Sequence, residues 1–211
     1  MQPRSLVIDT LKNTLENNPE VRIGVAFVYC DYRDQDQESR KLIAAIVRQL
    51  LALLDIVPEG VISIYNKLRK QGNPIPLDDA MAMLLLVCAA FDRVYICIDA
   101  LDELKDRDTF LKSLKSLRES FSSLHLFTTG RNNTQDTVRA HLGQPMIIQI
   151  EASESDVRNI IKKEIDNSRQ CEPDLMDADL EHEITEKIVS RSVGKLVSPI
   201  LALDDYLLII L

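Results

Sequence analysis

The 211-residue chain has no tryptophan, only 6 glycines and 8 prolines, and aromatics at 5%. Collagen-like and low-complexity classes are excluded on those counts. Cysteine is scarce as well: Cys30, Cys88, Cys97 and Cys171 form no C-x-x-C pair. His125, His141 and His182 are scattered without ligand spacing, which argues against a zinc site. Cys88 and Cys97 lie inside apolar runs and read as reduced core thiols of a cytoplasmic protein. The longest apolar run, Ala80 to Phe91, has 12 residues and is too short to span a bilayer. The N-terminus, MQPRSLVIDTLKN, lacks a signal-peptide apolar core. Basic charge is also in deficit, 25 Lys and Arg against 33 Asp and Glu, for a net charge of −8. No basic stripe appears, so there is no nucleic-acid signal. The acidity concentrates in residues 151–187, which hold 12 acids and 5 bases.

What is present is ordinary globular composition, 45% hydrophobic and 27% charged. Helical spacing predicts helices over residues 4–16, 38–54, 58–70, 77–91, 107–121, 154–167 and 177–191. Ser153 is the expected N-cap of the sixth. Short apolar runs predict strands at 23–30, 94–98, 124–128 and 146–150, of the kind buried on both faces of a parallel sheet. The alternation implies an α/β three-layer sandwich with a mainly parallel sheet. Composition shifts near residue 151, where strands are expected to stop and acidic helices to begin. The expected division is a sheet domain at 1–150 and an acidic helical extension at 151–211. The apolar helix around Met81, Met83 and Leu84 to Val87 reads as core, and the acids between Glu172 and Glu186 as a solvated face.

The chemically informative stretch is Val94-Tyr95-Ile96-Cys97-Ile98-Asp99-Ala100-Leu101-Asp102-Glu103. A buried strand delivers Asp99 to the carboxyl edge of the sheet, where ligands bind in open α/β folds. A carboxylate there calls for a cation or hydrogen-bond donors. Nucleotide-bound magnesium is a fitting partner, with Asp102 or Glu103 orienting a water. In the plainer reading Asp99 caps a turn, and Asp102 and Glu103 are solvated loop charges.

These stretches, taken in order, resemble the NACHT NTPase domain of STAND proteins in its fungal NLR-like form, also called nephrocystin-like N-terminal. VAFVYCDYRDQ is similar to that family's second core strand and loop. ESRKLIAAIVRQLL is similar to the helix after it, VYICIDALDEL to the Walker B strand, and LHLFTTGRNN to the sensor strand. MIIQIEASESDVRNIIKKEI and ITEKIVSRSVGKLVSPILAL resemble the closing strand and helices. The resemblance covers about residues 20–205. It implies a P-loop NTPase-like fold with Mg and ATP or GTP as cofactors, and a signalling switch that oligomerises. It assigns Asp99 to Mg, Asp102 or Glu103 to the water-orienting acid, and Arg131 to the sensor, with Thr129 and Thr128 contributing hydroxyls.

The chain departs from that pattern in lacking Walker A. No two of its six glycines stand five apart, and only Gly194 precedes a lysine, followed by Leu196 rather than Ser or Thr. Phosphate cradling needs G-x-x-x-x-G-K-[ST]. Residues 4–16 therefore correspond to the helix after the P-loop, and the chain is expected to begin just past it. Further departures are Gly130 before Arg131, expected to loosen that loop, and Lys195 and Pro199, with Pro199 expected to end a helix. The leading expectation is a partial NACHT switch module that does not hydrolyse ATP alone and docks on full-length NACHT relatives. The alternatives are a non-nucleotide interaction module on an α/β scaffold, and a magnesium-dependent hydrolase using Asp99, Asp102 and Glu103. Loss of a sheet strand is also expected to leave an exposed, aggregation-prone edge.

Overall fold

A computed structural model describes residues 20–72, 74–150, 153–171, 177–192, 197–198, 201–202 and 206–210. The helix expected at 4–16 lies outside the described residues, as do Gly194, Lys195 and Pro199. The fold is α/β, a parallel sheet flanked by helices and followed by further helices. The chain divides into two compact units, residues 1–147 with 209–211, and residues 148–208.

In the first unit, β1 (Ile23–Tyr29) is followed by α1 (Ser39–Leu51), α2 (Glu59–Gln71) and α3 (Leu77–Cys88). Then come β2 (Arg93–Asp99), a 3-10 turn (Leu101–Glu103), α4 (Arg107–Ser120) and β3 (Leu124–Arg131). A second 3-10 turn (Asn132–Thr134) leads into α5 (Gln135–Leu142), ahead of β4 (Met146–Ile150). β1, β2 and β3 pair in parallel, with Ala26 beside Ile96 and Ile96 beside Leu126. Tyr206–Ile210 forms a further strand, β7.

Strand alternation gives this sheet two different faces. Ala26, Val28, Val94, Ile96, Ile98, Leu124 and Leu126 are buried on one. α1 packs on β1 and on α3, and α4 touches both helices. The apolar stripes explain that layer. Leu42, Ile43, Ile46, Val47 and Leu50 of α1 are buried, as are Phe110, Leu111, Leu114 and Leu117 of α4. Gly24 sits under this layer. A Cβ there would come within 2.9 Å of Leu50 Cδ2 and 3.2 Å of Phe91, so the close approach requires glycine. The other face carries half-buried aromatics: Phe27 meets Tyr29 edge-on, and Tyr95 stacks on His125 with centroids 4.9 Å apart. α2 ends on Gly72 in the left-handed region (φ 67), a common helix stop. At the outer side of β1, the Gln49 amide takes both backbone groups of Phe27, accepting its N–H at 3.1 Å and donating to its C=O at 2.7 Å.

In the second unit, α6 (Glu154–Cys171) packs on α7 (Ala178–Ser192) around Val157, Ile161, Ile165 and Val189. Ser153 caps α6 as its sequence position implies. Its Oγ accepts from the Asp156 N–H at 3.2 Å, and the Asp156 carboxylate accepts from the Ser153 N–H at 3.2 Å. Arg158 bridges Glu154 and Glu186, both at 2.8 Å. Strands do not stop at residue 151, contrary to the sequence expectation. Val197–Ser198 (β5) pairs antiparallel with Leu201–Ala202 (β6), and β7 follows. The apolar tail was too short and unpatterned to be told from helix by periodicity.

Cys30, Cys88 and Cys97 are buried and free. Burial pushes the Cys88 and Cys97 thiols up to about 12 and about 11. Burial, with the nearby charges of Asp99, Glu103 and Asp102, pushes Cys30 up to about 12. At pH 8 the folded thiolate populations of Cys30 and Cys88 are therefore about a thousandfold below those of free thiols. Alkylation followed by peptide mass spectrometry is expected to label these three only after unfolding. The pH consequence has a definite sign. Unfolded thiols ionise from about pH 9 while the folded ones keep their protons, so the unfolded chain binds fewer protons between pH 9 and 12. The stabilisation is complete below pH 9 and is lost as pH rises through that window. Unfolding midpoints flat from pH 8 to 11 would contradict this.

Candidate functional site

β2 ends at Asp99, whose side chain is exposed at the carboxyl edge of the sheet. Ala100 then adopts φ 55, ψ 48, the one non-glycine residue with positive φ among those described. This left-handed step turns the chain sharply into the Leu101–Glu103 turn. Leu101 and Leu104, 0% and 3% exposed, anchor the turn in the core, with half-buried Asp102 and Glu103 between them. Local apolar anchoring thus presents three acids within five residues.

β3 runs beside β2 and delivers its own end to the same place. Ile98 stands in register with Thr128, which sets Asp99 beside Thr129. The Thr129 hydroxyl donates to Asp99 Oδ1 and accepts the Ala100 N–H at 3.0 Å. Asp102, with only 6% of its side chain exposed, accepts the Arg131 N–H at 3.2 Å and lies 3.4 Å from Arg131 Nε. Glu103 reaches the loop after β1 and accepts the Tyr32 N–H at 3.2 Å. Asp99, Asp102, Glu103, Thr129 and Arg131 are all brought to one edge.

Two sequence expectations are corrected here. Thr128 is 1% exposed on the helix-covered face, with its hydroxyl directed to the Thr129 carbonyl, so it does not join the edge. Strand alternation alone separates it from Thr129. Gly130 is not a loosened loop position. It is buried in β3, and a Cβ there would stand 3.0 Å from Thr134 Oγ1 and 3.4 Å from Asp102 Oδ1. Glycine lets the turn close onto Asp102, and the Thr134 hydroxyl donates to the Arg131 carbonyl at 2.6 Å.

The sequence reading overlooked the supports of this edge. Asp31 is clamped by Arg33 through bonds of 2.7 to 3.1 Å, which hold its carboxyl down at about 2. Gln37 ties the loop by accepting the Asp31 N–H at 2.9 Å and donating to the Tyr29 carbonyl at 2.8 Å. Buried Ser39 donates to Asp106 Oδ2 at 2.7 Å, joining the start of α1 to the start of α4. The dense polar run DYRDQDQ was the available signal, since such residues after a strand can bond their own backbone.

These contacts decide how the residues stand toward a magnesium nucleotide. Octahedral magnesium takes carboxylate and phosphate oxygens. Here one Asp99 oxygen is engaged by Thr129, Asp102 is shielded and paired with Arg131, and Glu103 holds the β1 loop. No group of three acidic, histidine or cysteine side chains able to hold a metal occurs among the described residues. With no Walker A sequence in the chain, the donor set does not fit the cofactor as it stands.

The family model described as Nephrocystin 3, N-terminal, matches residues 4–131, from ahead of β1 through the end of β3. The chain belongs to the nephrocystin 3 N-terminal family. The matched stretch ends on Arg131, so the whole Asp99–Arg131 edge lies inside the part that defines this family member. No curated protein and no solved structure matches the chain. Among the described residues, no helix is long and apolar enough to cross a membrane.

Proposed function

We propose that this nephrocystin 3 N-terminal family member is the core of a NACHT-type STAND switch that signals through protein contacts in the cytoplasm and does not hydrolyse ATP by itself. The observation that carries the proposal is the pairing of the Walker B-like strand end with the sensor-like one, Asp99 with Thr129 and Asp102 with Arg131. Acids and sensor groups meet at one edge, as a switch requires: Thr129 is hydrogen-bonded to Asp99, and Arg131 is held by its backbone N–H and its charge against Asp102, while its buried Nε has no hydrogen-bond acceptor among the described residues. In P-loop enzymes a glycine-rich cradle supplies many of the triphosphate contacts. Asp99, Asp102 and Arg131 act here as the conformational lock of the module, and full-length NACHT relatives are its partners.

The test is titration of a fluorescent ATP analogue with magnesium into the purified chain, alongside a phosphate-release assay. The expected result is no saturable binding and no turnover. Magnesium-dependent turnover that Asp99→Ala abolishes would overturn the reading and make Asp99 a metal ligand. A non-nucleotide interaction module is the second reading, favoured by the apolar residues exposed on α2.

A further inference from the structure

Helix α2 buries only one side. Val61 and Leu68 are 2% and 4% exposed and face the first unit. On the outer side stand Glu59, Ile62, Tyr65 and Arg69, spaced three, three and four residues apart, so they form one stripe. Ile62 is 46% exposed and Tyr65 51%. The apolar surface continues beyond the helix. A Cβ on Gly60 would lie 2.8 Å from Leu86 Cδ1, so Leu86, itself 39% exposed, borders the first turn of α2. Ile56, just before the helix, is 83% exposed. Single exposed apolar residues need no explanation, but adjoining ones mark interaction surfaces.

The order along the stripe identifies the partner. Its charged and apolar members read acid, apolar, apolar, base, with exposed Asn66 between Tyr65 and Arg69. The midpoint between Glu59 and Arg69 falls within half a residue of the midpoint between Ile62 and Tyr65. A second α2 laid antiparallel about that midpoint sets Glu59 against Arg69 of the partner subunit at both ends. Ile62 and Tyr65 then cover each other's counterparts in the middle. Antiparallel packing also opposes the two helix dipoles favourably. A stripe that complements itself under a two-fold rotation is the signature of an isologous interface. Neither Glu59 nor Arg69 forms an ion pair within the chain among the described residues, so both charges are open to that use.

We propose that α2 is the seam of a two-fold homodimer of this chain, centred between Ile62 and Tyr65 and fixed in register by Glu59–Arg69 pairs across it. The proposal stands apart from the nucleotide reading, because none of its residues touches the Asp99–Arg131 edge.

The experiment is sedimentation velocity on the full chain across a concentration series. The expected result for the parent chain is a mass that doubles with concentration. Exposed ion pairs contribute little, but like charges repel, and symmetry counts each reversal twice. Glu59→Arg and Arg69→Glu alone are each expected to weaken the dimer about tenfold or more. The double variant carrying both changes is expected to return within about threefold of the parent, because it restores opposite charges at both ends. Ile62→Asp is expected to abolish association with the circular dichroism spectrum unchanged. A chain that is monomeric at every concentration overturns the proposal. So does a dimer indifferent to the single reversals, failure of the double variant to recover, or assembly beyond two copies.

Discussion

Phe110→Ala lowers the unfolding free energy by about 3–5 kcal/mol, the largest loss expected from any single side chain here. Phe110 is 0% exposed and heads the fully buried side chains by size. It lies one turn into α4, which packs against α1 and α3 beneath the sheet. Deleting the ring removes its transfer free energy and leaves a cavity, because Leu111, Leu114 and Leu117 already fill their own places on the helix. Domains of this size hold roughly 5–15 kcal/mol in total, so the variant should be marginal. Urea unfolding gives the readout: the midpoint falls sharply while the slope is retained. A loss under about 1 kcal/mol would mean that α4 is not packed as described.

The second large effect belongs to Asp102. Asp102→Ala removes the acceptor of the Arg131 N–H and the counter-charge of its guanidinium, at a cost of about 2–3 kcal/mol. Arg131→Ala leaves a carboxylate that is 6% exposed facing no cation, and a loss of similar size is expected. The two losses should not add. A double-mutant cycle is expected to return a coupling of about 1–2 kcal/mol, the mark of residues in one network. Asp102→Asn keeps an acceptor for the N–H and should lose less than alanine does. Amide exchange at residues 129–134 should quicken in Asp102→Ala while β1 and β2 stay protected. Additive losses would show that Asp102 and Arg131 stabilise the chain separately and that the lock does not exist.

Much of this was legible in the sequence because it rests on periodicity. The stripes of α1 and α4, and the apolar runs of β1 and β2, have one physical explanation each, burial against a shared core. The Asp99 edge was legible for a related reason, since a carboxylate ending a buried strand must find a partner. What that partner is was not legible. Thr129 and Arg131 come to Asp99 and Asp102 through a parallel register between β2 and β3, and pairing register is a long-range property that local spacing does not carry. Helix α5, only eight residues from Gln135 to Leu142, has two buried residues, Val138 and Leu142, too few to mark a stripe. Gly130 was misread because flexibility and close approach look identical in a sequence. β7 escaped for want of any polar alternation in Tyr206–Ile210.

The Gln49 amide on Phe27 carries a consequence for life at high concentration. An outer strand with bare backbone groups is a template on which another chain can lengthen the sheet without limit. β1 is such an outer strand, with an apolar sequence well suited to cross-β stacking. A side chain sent from α1 imitates a neighbouring peptide group at its middle, and Gln37 occupies the carbonyl of Tyr29 further along. Two glutamines thus engage the outer edge of β1 at two of its residues. Gln49→Ala is expected to raise aggregation on storage well before it lowers the melting temperature, and light scattering over time beside a thermal melt checks this.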